Sequence, residues 1–289
     1  MKNVILTPNP YRDKNFQTVR EAMRILKDAG ISTRLCLPFE VERSYELPKD
    51  LRFSRLDREL PNAEMVICFG GDGTILHMAK AATRKGIPIL GVNIGTMGFM
   101  AELESSELKL LSRLAQDDYT VEERMMLHVK AEHEGKVLLE EEALNDAVIT
   151  KGAVARIIQM TVSCDHMQIM SFGGDGVIVC TPTGSTAYSM SAGGPIVEPT
   201  SQCIIVTPVC AHRLAARAMV LAPQRLVTVR LPKGNRKHLY LSVDGGKAVR
   251  LTGGDQVEIS RSTYTTKLVQ LAHRNFYQVI NQKLGGFAP

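Results

Sequence analysis

A chain of 289 residues exceeds what one hydrophobic core usually organises, and 44% hydrophobic with 22% charged residues is near the globular average, which argues against disorder, collagen-like repeats and a membrane protein. The formal net charge of +5 is modest, Lys and Arg are scattered apart from short groups such as Lys233 to Lys237, and with no Trp and 5% aromatics the chain lacks the stacking residues of a single-strand binder; a small anionic ligand fits better than nucleic acid. The six cysteines show no C-x-x-C spacing, the seven histidines no His-Glu-x-x-His, and no apolar run has the length of a signal peptide or a membrane span, so free buried thiols, no structural metal and a cytoplasmic location are expected.

Asn3 to Thr7 reads as a buried strand, followed by a Pro-Asn-Pro turn and a helix with apolar residues Phe16, Val19, Met23 and Leu26, stopped at Gly30. Ile31 to Leu37, Met65 to Phe69 and Pro88 to Val92 read as further strands, with helices near Ile75 to Lys85 and Ser106 to Leu114. Strands alternating with helices imply a parallel sheet covered on both faces. Pro38 to Asn62 is highly charged and weakly periodic, and reads as a loop or irregular helix.

From about Thr120 the pattern turns to β: Arg124 to Glu132 alternates, Glu134-Gly135 reads as a turn, and strands are expected at Ile157 to Cys164, Gly176 to Thr181, Ile204 to Val209, Leu226 to Leu231, Leu239 to Val243, Gln256 to Ser260 and Thr266 to Leu271. A terminal helix is expected at Tyr277 to Lys283.

The strand Met65 to Phe69 runs into Gly70-Gly71-Asp72-Gly73-Thr74, after which Ile75 to Ala79 can begin a helix. Three glycines permit conformations closed to other residues and let backbone N–H groups approach an anion, while the helix start adds unpaired donors and the positive end of its dipole. A carboxylate within such a site repels phosphate unless it binds Mg²⁺ or accepts a proton from a hydroxyl, and both are tasks of phosphoryl transfer. A lone Asp-Gly is usually only a tight turn; the strand-to-helix context is what raises Asp72 above that. The loop lacks the Lys-Ser/Thr ending of a P-loop, and no G-x-G-x-x-G follows the first strand.

Two more loops end apolar strands. Gly91 to Phe99 is placed to line the same crevice as Asp72, because ligands of open α/β sheets bind at the carboxyl ends of strands. Asp175-Gly176 leads through a strand into Thr181-Pro182-Thr183-Gly184-Ser185-Thr186-Ala187-Tyr188, whose hydroxyls suit a ribose and whose tyrosine can stack on a base; taken alone, the segment reads equally well as a capped helix start.

In this order, Gly70 to Thr74, Asn145-Asp146 within Leu144 to Ile149, and Asp175 to Tyr188 resemble three motifs of the NAD kinases, and the resemblance covers most of the chain. It implies an N-terminal α/β domain, residues 1–119 with 268–289, like that of the diacylglycerol kinases, and a β-rich NAD-binding domain, residues 120–267. It further implies transfer of the terminal phosphate of ATP, with Mg²⁺ or another divalent metal brought by the nucleotide, to the 2′-hydroxyl of the adenosine ribose of NAD, giving NADP. On this resemblance Asp72 is the catalytic carboxylate and Gly73 its neighbour, Asn145 and Asp146 fix the ribose, and Thr186, Ala187, Tyr188 and Ser191 surround adenine and ribose. Arg156 and Asp175 belong to the dinucleotide site, partly supplied by a neighbouring subunit of a dimer or tetramer, and His77 is a weaker candidate. Position 173 is Gly where ATP-restricted relatives often carry Arg, which implies looser donor choice with inorganic polyphosphate beside ATP. The competing readings are a lipid or sugar kinase sharing the glycine-rich loop and a sensor that binds NAD or NADP without turnover.

Overall fold

Three parallel strands that end at one level set the geometry of the first half of the computed structural model, which describes residues 1–95, 98–152, 157–212, 216–232 and 239–285. In Asn3–Pro8, Met65–Gly70 and Ile89–Asn93, Pro8 pairs with Phe69 and Gly70 with Asn93, so the loops that follow all leave from the same edge. Ser32–Cys36 and Phe53–Ser54 extend the parallel sheet beyond Asn3–Pro8, and Leu268 and Leu103 pair in parallel along Ile89–Asn93. The chain divides into two compact units, Met1–Glu123 with Thr266–Pro289, and Arg124–Thr265.

In the first unit the strands are buried on both faces, as expected of a parallel sheet with helical crossovers. On one face Val4, Leu6, Met65, Ile67, Phe69, Leu90 and Val92 pack with Phe16, Val19, Ala22 and Leu26 at the start of and along the helix Gln17–Asp28, and with Leu108, Leu111 and Leu114. On the other lies the helix Asp72–Ala82, whose Ile75 side chain comes within 2.5 Å of where a β-carbon on Gly91 would stand; glycine there lets helix and strand approach. The helix expected near Ser106 to Leu114 is the 3₁₀ helix Ser105–Gln116, and the charged stretch before Asn62 holds the short pieces Phe53–Ser54, Leu56–Glu59 and Leu60–Asn62.

The second unit is built from antiparallel strands. Six of them follow the order Met219–Leu221, Ile204–Val209, Gly176–Cys180, Asp146–Lys151, Leu239–Val243, Val249–Leu251. A second layer contains Met167–Gly174, Ile158–Cys164, Val227–Arg230 and Gln256–Gln270, with the hairpin Thr120–His133 and Lys136–Ala143 turning at Glu134-Gly135. Inward-facing Ile149, Val177, Val179, Leu239 and Leu241 of the first layer meet Met160, Val162, Phe172, Val229 and Ile259 of the second in one core. The two strands expected at Gln256 to Ser260 and Thr266 to Leu271 are one continuous strand, because the polar run between them is rich in Thr and Tyr, which suit a strand, although the buried positions change phase from Val257 and Ile259 to Ser262, Thr266 and Leu268.

Cys36, Cys68, Cys180 and Cys203 are buried free thiols, Cys164 is half-buried and Cys210 exposed; burial pushes Cys68 and Cys180 up to about 12. Among the described residues no helix is long and apolar enough to cross a membrane.

Candidate active site

Asp72 is the first residue of the helix Asp72–Ala82, with Gly71 as its cap in an extended conformation (φ −114°). The glycines of this turn therefore serve a purpose other than the one expected from their conformational freedom, since Gly70, Gly71 and Gly73 all avoid positive φ. A β-carbon on Gly70 would lie 2.3 Å from the Thr74 hydroxyl, whereas around Gly71 and Gly73 nothing comes within 4 Å. Gly70 lets the turn close on itself; Gly71 and Gly73 leave open space at a helix N-terminus, where anions are stabilised.

The Asp72 carboxylate is held by the loop that follows Ile89–Asn93. Phe99 N–H donates to Oδ2 at 2.8 Å and Met100 N–H to Oδ1 at 3.1 Å. The loop is itself anchored: Glu102 is buried, and its Oε1 accepts the consecutive N–H groups of Leu271, Ala272 and His273 at 2.8, 2.6 and 2.9 Å. Burial pushes the Glu102 carboxyl up, against the lowering effect of those donors. Arg274 pairs with Glu104 and Glu107, and the Lys283 ammonium lies 4.1 Å from the centre of the Phe99 ring. Asn9, beyond the first strand, donates from Nδ2 to the Thr74 hydroxyl at 3.2 Å, and the guanidinium of exposed Arg12 packs on Gly95. His77 sits one turn along the helix with the Phe39 ring edge-on at 5.7 Å; desolvation and, after it, the Lys80 charge hold its pKa below the usual histidine range.

In the second unit, Asn145 and Asp146 meet the segment after Gly176–Cys180. Thr181 N–H donates to the Asn145 carbonyl at 2.9 Å, its hydroxyl to the Leu144 carbonyl at 2.6 Å, and a β-carbon on Gly184 would stand 2.1 Å from the Asn145 carbonyl oxygen. Thr183–Thr186 is a single 3₁₀ turn and Tyr188–Ser191 a short helix, with Ala187 in a non-helical conformation between them. Thr186 is buried and bonded to its own turn, while Tyr188 is 44% exposed and Ser191 exposed, so the tyrosine face is open for stacking. Asn145 Oδ1 and Thr183 Oγ1 are buried without a partner among the described residues, a costly state that a hydrogen-bonding ligand relieves. Burial first, and the charge of Asp244 second, push the Asp146 carboxyl up to about 7.

Asp175 and Gly173 lie elsewhere. The strand Gly176–Cys180 pairs Cys180 with Asp146 at one end and Gly176 with Thr150 at the other, so five residues, roughly 16 Å, separate Asp175 from the Asn145 cluster. The motif that reads as one unit in sequence is two clusters in space. At the far end Lys151 donates from Nζ to Asp175 Oδ1 at 2.6 Å, and His212 N–H donates to the Gly173 carbonyl at 2.8 Å. A β-carbon on Gly173 would lie 2.8 Å from both Gln159 Nε2 and Ile157 Cγ2, each the end of a movable side chain. Arg156 lies outside the described residues.

The loop Gly91 to Phe99, expected beside Asp72, does meet it, with Gly98 and Phe99 against the carboxylate. Sequence reading missed Asn9, Thr183 and Asp244. Thr183 was within reach as a hydroxyl of the quoted segment; Asn9 and Asp244 act through contacts to residues far along the chain and leave no local pattern.

Residues 4–119 match the family profile of the ATP-NAD kinase N-terminal domain, and residues 144–271 that of the ATP-NAD kinase C-terminal domain. The NAD kinase of Natranaerobius thermophilus is 42% identical over 287 residues, 99% of each chain. That of Ruminiclostridium cellulolyticum is 41% identical over 224 residues, 77% of this chain and 78% of the other. Yeast NADH kinase in complex with NADH superposes with a TM-score of 0.86 at 23% identity, covering 100% of this chain and 89% of that one. An NAD kinase from Archaeoglobus fulgidus in complex with ATP superposes with a TM-score of 0.73 at 24% identity, covering both chains fully. At those identities the superpositions speak for the fold, and the profile matches together with the full-length relatives speak for descent. The chain belongs to the ATP-NAD kinase family.

Proposed function

We propose that the chain phosphorylates NAD with ATP at the 2′-hydroxyl of the adenosine ribose, Asp72 orienting that hydroxyl and taking its proton. The hydroxyl oxygen attacks the terminal phosphorus of ATP, the bond to the bridging oxygen breaks, ADP leaves, and the proton passes to Asp72 and then to water. The observation that carries this reading is the fixation of Asp72 at a helix N-terminus, both carboxylate oxygens held by Phe99 and Met100 N–H groups beside two glycines with open space around them. A sugar hydroxyl ionises only far above neutrality, so the carboxylate contributes by position and by accepting the proton late.

Mg²⁺ would arrive on the donor phosphates, with Asp72 as the carboxylate of this chain nearest to it, and when bound it would neutralise the donor charge.

Asn145 and Thr183, with their unpartnered buried oxygens, would accept from the ribose hydroxyls, with Asp146, Thr186 and Ser191 beside them and Tyr188 stacking on adenine. The distance from this cluster to Asp175 supports assigning Asp175 and Gly173 to a more distant part of the dinucleotide or to the site of a neighbouring subunit in a dimer or tetramer, and the family resemblance puts Arg156 with them. The missing side chain at Gly173 supports donor use that includes inorganic polyphosphate, and the location proposed with this activity is the cytoplasm.

The test is NADP formation from NAD with ATP and Mg²⁺, compared with Asp72→Asn. Activity lost by at least about a hundredfold in the variant, with NAD still bound, supports the assignment; full activity in the variant overturns it. Replacing ATP by polyphosphate, in the parent and in Gly173→Arg, tests the donor: product from polyphosphate only in the parent is the expected outcome.

A further inference from the structure

Asp244 follows the strand Leu239–Val243 and adopts a left-handed conformation at φ +49°, unusual for a residue with a side chain. Its Oδ2 accepts the Leu144 N–H at 2.8 Å, and its Oδ1 accepts those of Asn145 at 2.8 Å and Asp146 at 3.0 Å. The Asp244 N–H returns a hydrogen bond to the Asp146 carbonyl at 3.0 Å. Three consecutive N–H groups converging on one point form a concave anion nest, here filled by the protein's own carboxylate.

The opposite side of the same turn is fixed as well. Thr181 holds the carbonyls of Leu144 and Asn145, and Gly184 packs against the latter. With its N–H held by Asp244 and its carbonyl by Thr181, the Asn145 backbone has one orientation, and that orientation leaves Oδ1 buried without a partner among the described residues. Such a site gains by accepting a hydrogen bond from a ligand hydroxyl.

We infer that Asp244 is a positioning residue for substrate recognition: its carboxylate holds the Leu144–Asp146 turn so that the Asn145 amide faces the ribose of NAD. This rests on the assignment of Asn145 to the ribose.

The test compares Asp244→Asn, Asn145→Ala and the double variant, measuring KM for NAD and for ATP separately. Asp244→Asn retains the shape of the side chain but turns an amide N–H toward one of the three backbone donors. The expected result is a rise of about tenfold or more in KM for NAD with KM for ATP unchanged. The double variant should be hardly worse than the worse single one, because both remove the same contact. A general loss of structure would instead change both KM values and combine additively, and that outcome overturns the proposal, as does an unchanged KM for NAD in Asp244→Asn. Should Asn145→Ala leave KM for NAD unchanged, the ribose assignment falls and this proposal with it; a raised KM in Asn145→Ala but not in Asp244→Asn sinks the proposal alone. If Asp244→Asn does not fold, Thr181→Val replaces it, removing the hydroxyl that donates to the Leu144 carbonyl and accepts from the Gly184 N–H on the other side of the turn, with a severalfold rise in KM for NAD only as the expected reading.

Discussion

A β-carbon at position 98 would stand 1.9 Å from Oδ1 of Asp72, so the absence of a side chain at Gly98 is a condition for the carboxylate to sit where it does. The two residues are 26 positions apart, and the contact is made because the next two amides, Phe99 and Met100, donate to that carboxylate. Gly98→Ala must therefore push Asp72 away or break both hydrogen bonds. The expected outcome is a fall in kcat of about a hundredfold or more with a small change in KM for NAD, measured as NADP formation. Retention of kcat in a folded Gly98→Ala protein would show that Asp72 need not be held in this place.

Glu102 supplies a stability prediction. Glu102→Ala leaves three consecutive backbone donors without their acceptor in a buried setting, at an expected loss of about 3–5 kcal/mol, read as a lowered urea midpoint. Glu102→Gln keeps one acceptor oxygen and should lose less than half as much.

Asp146 supplies a pH dependence. Its ordinary value is 3.8, and burial, with the Asp244 charge second, takes it to about 7 in the folded chain. Between those values the folded protein holds a proton that the unfolded chain has released, so this group's contribution is most favourable below 3.8 and is lost as pH rises through 7. Asp146→Asn removes that loss, worth on the order of a few kcal/mol. The difference in Tm between variant and parent should accordingly grow in favour of the variant from pH 5 to pH 8; a difference that does not change with pH would place the ionised Asp146 in a better solvated setting than its burial implies.

Arg12 makes no ion pair among the described residues and rests on Gly95, in the loop that leads to Gly98. The glycine-rich turn has no Lys or Arg of its own, and the prediction is that Arg12 supplies the cation for the donor phosphates. Arg12→Ala is expected to raise KM for ATP by roughly fivefold to tenfold, about 1 kcal/mol or slightly more, with KM for NAD unaltered. Equal effects on both substrates would rule out a role confined to the donor phosphates.

The glycine-rich turn was legible because a run of five apolar residues, Met65 to Phe69, stops abruptly at glycine and gives way to helical spacing, all within one local window. The parallel sheet followed from strands alternating with helices for the same reason. The use made of the glycines was not legible: Gly70 and Gly98 are required by the approach of Thr74 and Asp72, and a close approach leaves the same letter in the sequence as a positive φ does. Asp244 lies 98 to 100 residues from the turn it holds, and no periodicity connects them. The splitting of Asp175 from Thr181 was hidden in plain view, since a five-residue strand looks short in sequence but spans most of a sheet.

The anchorage of the Asp72 loop by Leu271, Ala272 and His273 also bears on how the protein is made. Glu102 and its donors are separated by 169 to 171 residues, so a growing chain that has already exposed the whole glycine-rich turn still lacks what fixes the loop around it. Synthesis at about 5–20 residues per second leaves that loop without its anchor for roughly ten seconds or longer. A message cut short between Glu102 and Leu271 yields a chain that carries Asp72 but lacks the donors that anchor its loop, so such incomplete products are poor catalysts by construction.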